Sequence, residues 1–169
     1  MSSSKASKIK PLLDAWQPHT VATSEWLGAR GINPQDVRNY LGSKWLVSLG
    51  RGAFKRPSET VTWQGALYSI QKQSNLPVHV GALTALEMTG HQHYVRFGSS
   101  EAYLFSAPDV QLPKWFRAHW GGQVRHVRTK LFPAQMAMTT KESPEGLPLD
   151  CSSPEQAILE TLHLAPKEF

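Results

Sequence analysis

The sequence predicts an α+β protein, with an N-terminal winged helix-turn-helix followed by a mixed α/β domain. Three observations carry this reading. Helical periodicity with cap signals recurs three times within the first 44 residues. Two short apolar-alternating runs joined by Gly50-Arg51-Gly52 follow at once, as "WLVSLGRGAFKRP". From Thr62 onward helical and strand-like runs alternate, and the basic charge excess of the first third disappears.

The elements follow in order. Ile9, Leu12, Leu13 and Trp16 recur at i, i+3, i+4 and i+7, one face of a helix that Gln17-Pro18 ends. In "TVATSEWLGARGI", Thr23 is an N-cap, Trp26 and Leu27 are core residues, and Gly31 is the C′ stop. In "INPQDVRNYLGSKWL", Asn33 caps, Pro34 takes N1 and Asp36 takes N3, with an Ile32–Val37 staple. Val37, Tyr40 and Leu41 face inward, which leaves Gln35, Arg38, Asn39 and Lys44 outward. The short glycine-containing link between the second and third helices is a helix-turn-helix connection, and the ribbon adds a wing.

Farther along, "TWQGALYSIQKQ" reads as a helix and Ala82–Thr89 as another, stopped by Gly90. "HYVRFG" and "AYLFS" read as strands around a turn at Gly98–Glu101. "PKWFRAHWGG" is a short helix or irregular turn, and "QVRHVRTKLF" a strand. "SPEGLPLDC" holds a loop and a short strand. "SSPEQAILETLHL" is a helix with Ser153 as cap, Pro154 at N1 and Gln156 at N3. The expected domains are 1–58 and 59–169.

The charge is uneven. Of 18 Lys and Arg against 13 Asp and Glu, nine bases face three acids (Asp14, Glu25, Asp36) up to Ser58. The remainder is close to neutral, so the first third is the polyanion-facing part. Gln35, Arg38 and Asn39 are types that reach base edges, and they lie near the helix end that enters a major groove. Lys44 stands with them on the third helix, and Arg51, Lys55 and Arg56 of the wing grip phosphates, together with Lys8 and Lys10 of an expected disordered basic arm. A second basic stretch holds Lys114, Arg117, Arg125, Arg128 and Lys130, with no acid between Gln111 and Thr140. It is read either as a further phosphate-contacting face or as a solvated sheet surface. Strand alternation separates Arg125 from His126 and Arg128.

Other classes are disfavoured. His91, His93, His119 and His126 have no Asp, Glu or Cys at a ligand spacing, so no metal is expected. There is no GxSxG, phosphate-cradling glycine loop or HExxH, so neither an enzyme nor a cofactor is expected. Cys151, the single cysteine, reads as a core thiol, and the tryptophans read as core residues. Trp115, Phe116 and Trp120 are the alternative, an exposed platform for single strands. No membrane-length apolar run and no signal h-region is present, and the expected location is the cytosol.

The ordered set "LLDAWQPHTVATSEWLGARGI", "YLGSKWLVSLGRGAFKRP", "LPVHVGALTALEMTGHQHYVRFG", "YLFS", "VRTKLF" and "SSPEQAILETL" resembles the AbiEi family over nearly the whole chain. These are antitoxin-regulators of type IV toxin–antitoxin (abortive infection) systems. The resemblance implies a cytosolic protein that binds inverted repeats in its own promoter, two protomers per operator, and is monomeric or weakly dimeric in solution. It also implies a nucleotidyltransferase-like toxin countered without a stable complex. Members of this type continue beyond the last helix, whereas this sequence stops at "APKEF", which implies a shortened second domain. The competing reading is a protein-interaction module that neutralises a toxin directly, without sequence-specific DNA binding.

Overall fold

Helix α1 (Ser3–Ala15) buries Leu12 and, just past its end, Trp16, the positions its apolar spacing marks. It begins at Ser3, so Lys8 and Lys10 stand on a helix and not on the disordered arm expected from the sequence. The computed structural model describes residues 3–90, 101–133 and 138–168, with side chains from 8 to 165 within those ranges. "HYVRFG", most of the turn after it, His91 and His93 lie outside the described residues.

After β1 (Ala22–Thr23), Thr23 Oγ1 accepts from Trp26 N and opens α2 (Ser24–Ala29). Gly31, at φ +75°, ends it in a Schellman arrangement. Ile32 N donates to Leu27 O and Gly31 N to Gly28 O. Helix α3 (Pro34–Gly42) follows, then β2 (Val47–Gly50) and β3 (Ala53–Lys55). Gly52 at the wing turn has φ +77°, and its carbonyl accepts from Ser24 N at 3.0 Å. The sheet has three strands, ordered β1-β3-β2, one more than the two-stranded ribbon expected. Leu12, Trp16, Leu27, Ile32, Leu46 and Phe54 form the core beneath it.

Helix α4 (Trp63–Lys72) belongs to this first unit. The chain divides into compact units Met1–Ser74 and Asn75–Phe169, so the boundary lies after α4 and not at Ser58. The reason is the segment leading into β1, whose backbone groups need partners. Ser69 Oγ bonds both the N–H and the carbonyl of Val21, at 3.0 and 2.7 Å. Gln73 donates to Val21 O at 2.8 Å and accepts from Thr23 N at 2.9 Å. Gly65 permits the approach, since a Cβ there would stand 2.0 Å from the His19 carbonyl oxygen. The end of the ribbon and of the basic excess suggests a boundary at Ser58, because neither registers these backbone bonds.

The second unit holds β4 (Val78–Val80), α5 (Ala82–Met88), β5 (Ala102–Ser106), α6 (Lys114–Trp120), β6 (Val124–Arg128), β7 (Met138–Glu142), β8 (Pro148–Ser152) and α7 (Pro154–Glu168). Among the described residues five strands run in the order β6-β5-β4-β8-β7, with β5–β6 and β4–β8 parallel and the other pairs antiparallel. All five residues of β5 are buried. Strands β4 and β7 were not read from the sequence. Strand β4 has only three residues, and β7, "MTTKE", alternates without the apolar face that marks a strand. Trp115, Phe116 and Trp120 are buried against one another, so they form no exposed platform. Among the described residues, no helix is long and apolar enough to cross a membrane.

Candidate nucleic-acid interface

The first turn of α3 is fixed by a reciprocal capping box. Asn33 Oδ1 accepts from Asp36 N at 2.8 Å, Asp36 Oδ2 accepts from Asn33 N at 3.2 Å, and Pro34 occupies N1. The partly buried Val37, Tyr40 and Leu41 pack on the core, which turns Gln35 and Arg38 out to solvent and leaves Asn39 half-exposed. Burial and the nearby Asp36 push the Tyr40 phenol upward, so it stays neutral.

These three polar side chains are brought together. Arg38 Nη2 and Nε donate to Gln35 Oε1 at 2.8 and 3.3 Å, and Gln35 Nε2 donates to Asn39 Oδ1 at 3.3 Å. They form one connected cluster on the outer face of a rigid helix. Each keeps unused donors, including the Asn39 amide N–H groups and Arg38 Nη1.

The cations divide into those that face outward and those that do not. Arg51 at the wing tip is exposed, and among the described residues it pairs with no carboxylate. Lys10 and Lys44 are exposed, the latter at φ +59°. Lys55 is half-buried and donates to the Glu59 carbonyl at 3.0 Å. Lys8 reaches Asp36 at 3.4 Å and the Gly31 carbonyl at 3.3 Å, tying α1 to the start of α3. Arg56 is a correction to the wing reading. It turns inward, donates to the Leu13 and Trp16 carbonyls, pairs with Glu59 at 3.0 Å, and lies 5.2 Å from the Trp16 ring centroid. Its planar fork matches two carbonyls and a carboxylate at once, which a free phosphate grip would not require.

Two exposed features flanking α3 in the chain escaped the sequence reading. Arg30 stacks over the Trp26 ring at 3.8 Å, in the turn between α2 and α3. Its place immediately before the C′ glycine was the available signal. Trp45 is 50% exposed beside Lys44, although tryptophans were read as core. Its neighbour Leu46 takes the core position instead.

Residues 5–97 match the family model described as "Transcriptional regulator, AbiEi antitoxin N-terminal domain". Residues 99–169 match "Transcriptional regulator, AbiEi antitoxin, Type IV TA system". The chain belongs to the AbiEi antitoxin family. No curated protein matches it. Among solved structures it is similar to the RV2827C protein from Mycobacterium tuberculosis, at 22% identity and a TM-score of 0.49. That match covers 78% of this chain and 46% of the other, so the chain spans about half the length of that relative.

In this AbiEi-family chain the cations of the second basic stretch are divided between α6, β6 and the segment just after β6. Arg125 and His126 alternate along β6, and Val127 packs on the core cluster of Ala82, Tyr103, Phe105 and Leu164. Lys114, Arg117, Arg125, Arg128 and Lys130 are all exposed. Arg117 and Arg128 line a cavity with Gln111, Leu112 and His126, whereas Lys114, Arg125 and Lys130 do not. Cys151 is buried, and burial followed by the Asp150 charge pushes its thiol up to about 12, which leaves it inert at neutral pH.

Proposed function

We propose that this chain is a double-stranded-DNA-binding regulator that represses its own toxin–antitoxin operon by occupying inverted repeats in the promoter. The observation that carries this is the connected Gln35–Arg38–Asn39 cluster on the outer face of a capped helix whose inner face is packed on the core. Arg38 then addresses guanine, and Asn39 or Gln35 adenine, in the major groove. Arg51, Lys44 and Lys10 supply phosphate contacts, while Lys8, Lys55 and Arg56 bond within the domain. Repression requires occupancy and no chemistry, so no catalytic group or cofactor enters the reading.

A single module buries roughly 600–1,000 Å² on DNA, so two protomers on two half-sites, each monomeric or weakly dimeric in solution, supply the affinity. The second unit is the antitoxin part, and its partner is a nucleotidyltransferase-like toxin countered without a stable complex. The test is a gel shift with the DNA upstream of the gene against random duplex, repeated across salt concentrations. Preference for the upstream DNA with a steep salt slope supports the reading. Equal affinity for random duplex, or tight salt-insensitive binding to the purified toxin with no DNA binding, overturns it.

A further inference from the structure

We propose that the cavity formed by Gln111, Leu112, Arg117, His126 and Arg128 is a binding site for a phosphomonoester, the terminal phosphate of a nucleotide or of a nucleic-acid end. The cavity measures about 260 Å³. It lies in the second unit, between the helix that carries Arg117 and the edge strand that carries His126 and Arg128. Among the described residues no carboxylate lines it, and neither guanidinium has a carboxylate partner. Arg128 is steered by a long contact from Nη1 to the Pro108 carbonyl at 3.4 Å, and His126 Nε2 is held 2.7 Å from Ser106 Oγ.

The electrostatics match the geometry. Burial first, then the charges of Arg128 and Arg117, push His126 down to about 4, so both cations act on the same ring. The result is a concave, uncompensated positive site, and an anion of matching charge relieves it. Two guanidinium groups and a Gln amide exceed what a backbone phosphodiester needs, with one charge and two free oxygens. A monoester carries about −1.5 to −2 at pH 7 and three acceptor oxygens, and each guanidinium can engage it through two parallel bonds.

The test uses the full chain and inorganic phosphate at constant ionic strength set with chloride, following the His126 ring by NMR. The expected result is a saturable shift and a raised His126 pKa, because the bound anion offsets the two arginine charges. Arg117→Ala and Arg128→Ala each weaken phosphate binding at least tenfold, while Lys141→Ala, outside the cavity, leaves it unchanged. If an alanine variant fails to fold, the corresponding lysine variant is read instead. It keeps the charge, loses the fork, and still binds severalfold more weakly. Chloride reproducing the shift, or arginine variants binding as the parent does, overturns the site. A nucleoside monophosphate compared with its nucleoside, and an oligonucleotide with and without a 5′-phosphate, separate the two sources. Binding that ignores the terminal phosphate in both arms overturns the monoester assignment. The inference stands apart from the reading of the winged helix, whose operator binding is measured in the same variants.

Discussion

Arg56 in the first unit and Glu160 in the second are both drawn away from water, and the two are handled differently. In the first, Arg56 keeps 19% exposure, takes two carbonyls and Glu59, and leaves its Nε without a partner. In the second, Glu160 is fully buried and both of its carboxylate oxygens are hydrogen-bonded, although Gln156 Oε1 beside it has no partner. Its oxygens accept from Ala82 N at 2.8 Å, Gln156 Nε2 at 2.9 Å and Ser152 Oγ at 2.8–2.9 Å, with His79 Nε2 at 2.9 Å. A delocalised, weakly hydrated guanidinium tolerates a half-wet site with one unmet donor. A carboxylate removed from water does not, because its desolvation is offset only when its lone pairs are filled. The backbone makes room accordingly, since a Cβ at Gly81 would stand 2.4 Å from Glu160 Oε2.

The largest expected effect breaks the better-satisfied of the two. Glu160→Ala strands the buried donors of Ala82, Ser152 and Gln156 and costs about 3–5 kcal/mol in the second unit. Thermal unfolding followed on NMR signals of α7 and β8 measures it, and a loss below 1 kcal/mol would show that the network is incidental. Acid sharpens the same point. Burial alone would raise Glu160, but its bonds from His79, Ala82 N and Gln156, with the His79 charge, outweigh burial and hold it below its ordinary value. The lowered group contributes stability that is present above about pH 4.5 and is lost as pH falls through the folded value. Glu160→Gln therefore flattens the acid limb of a stability–pH profile and lowers stability near neutrality.

In the first unit, Arg56→Ala is expected to destabilise by about 1.5–3 kcal/mol while leaving the salt slope of DNA binding unchanged. Calorimetry and gel shifts on the same variant check both halves. A lower slope with intact stability would return Arg56 to the phosphate-gripping wing. Arg38→Ala is expected to leave stability within about 0.5 kcal/mol and to lose roughly 1–3 kcal/mol of operator discrimination. Equal losses on operator and random duplex would make it a phosphate contact. The smallest change is Arg51→Ala, which lowers the salt slope by about one unit on every duplex and leaves the melting temperature in place.

The sequence alone determined the elements whose signals are local. The caps at Thr23, Asn33 and Ser153, the stop at Gly31 and the wing glycines each depend on neighbours within a few residues, and each stands where it was read. The outward set on α3 was legible for the same reason, because helical phase follows from spacing once Val37, Tyr40 and Leu41 are inside. Tertiary structure decided whatever depends on partners distant in the chain. It gave β1 its edge contacts from Ser69 and Gln73, and so placed α4 in the first unit. It turned Arg56 toward carbonyls some 40 residues earlier, and it drew Glu160 onto residues from β4, α5 and β8. It also gathered Arg117 and Arg128 around His126 while leaving Arg125 outside that cavity. A charged residue reads the same in sequence whether water or a buried carbonyl solvates it. Only the folded backbone, which brings those carbonyls and amides within hydrogen-bonding reach, settles which one does.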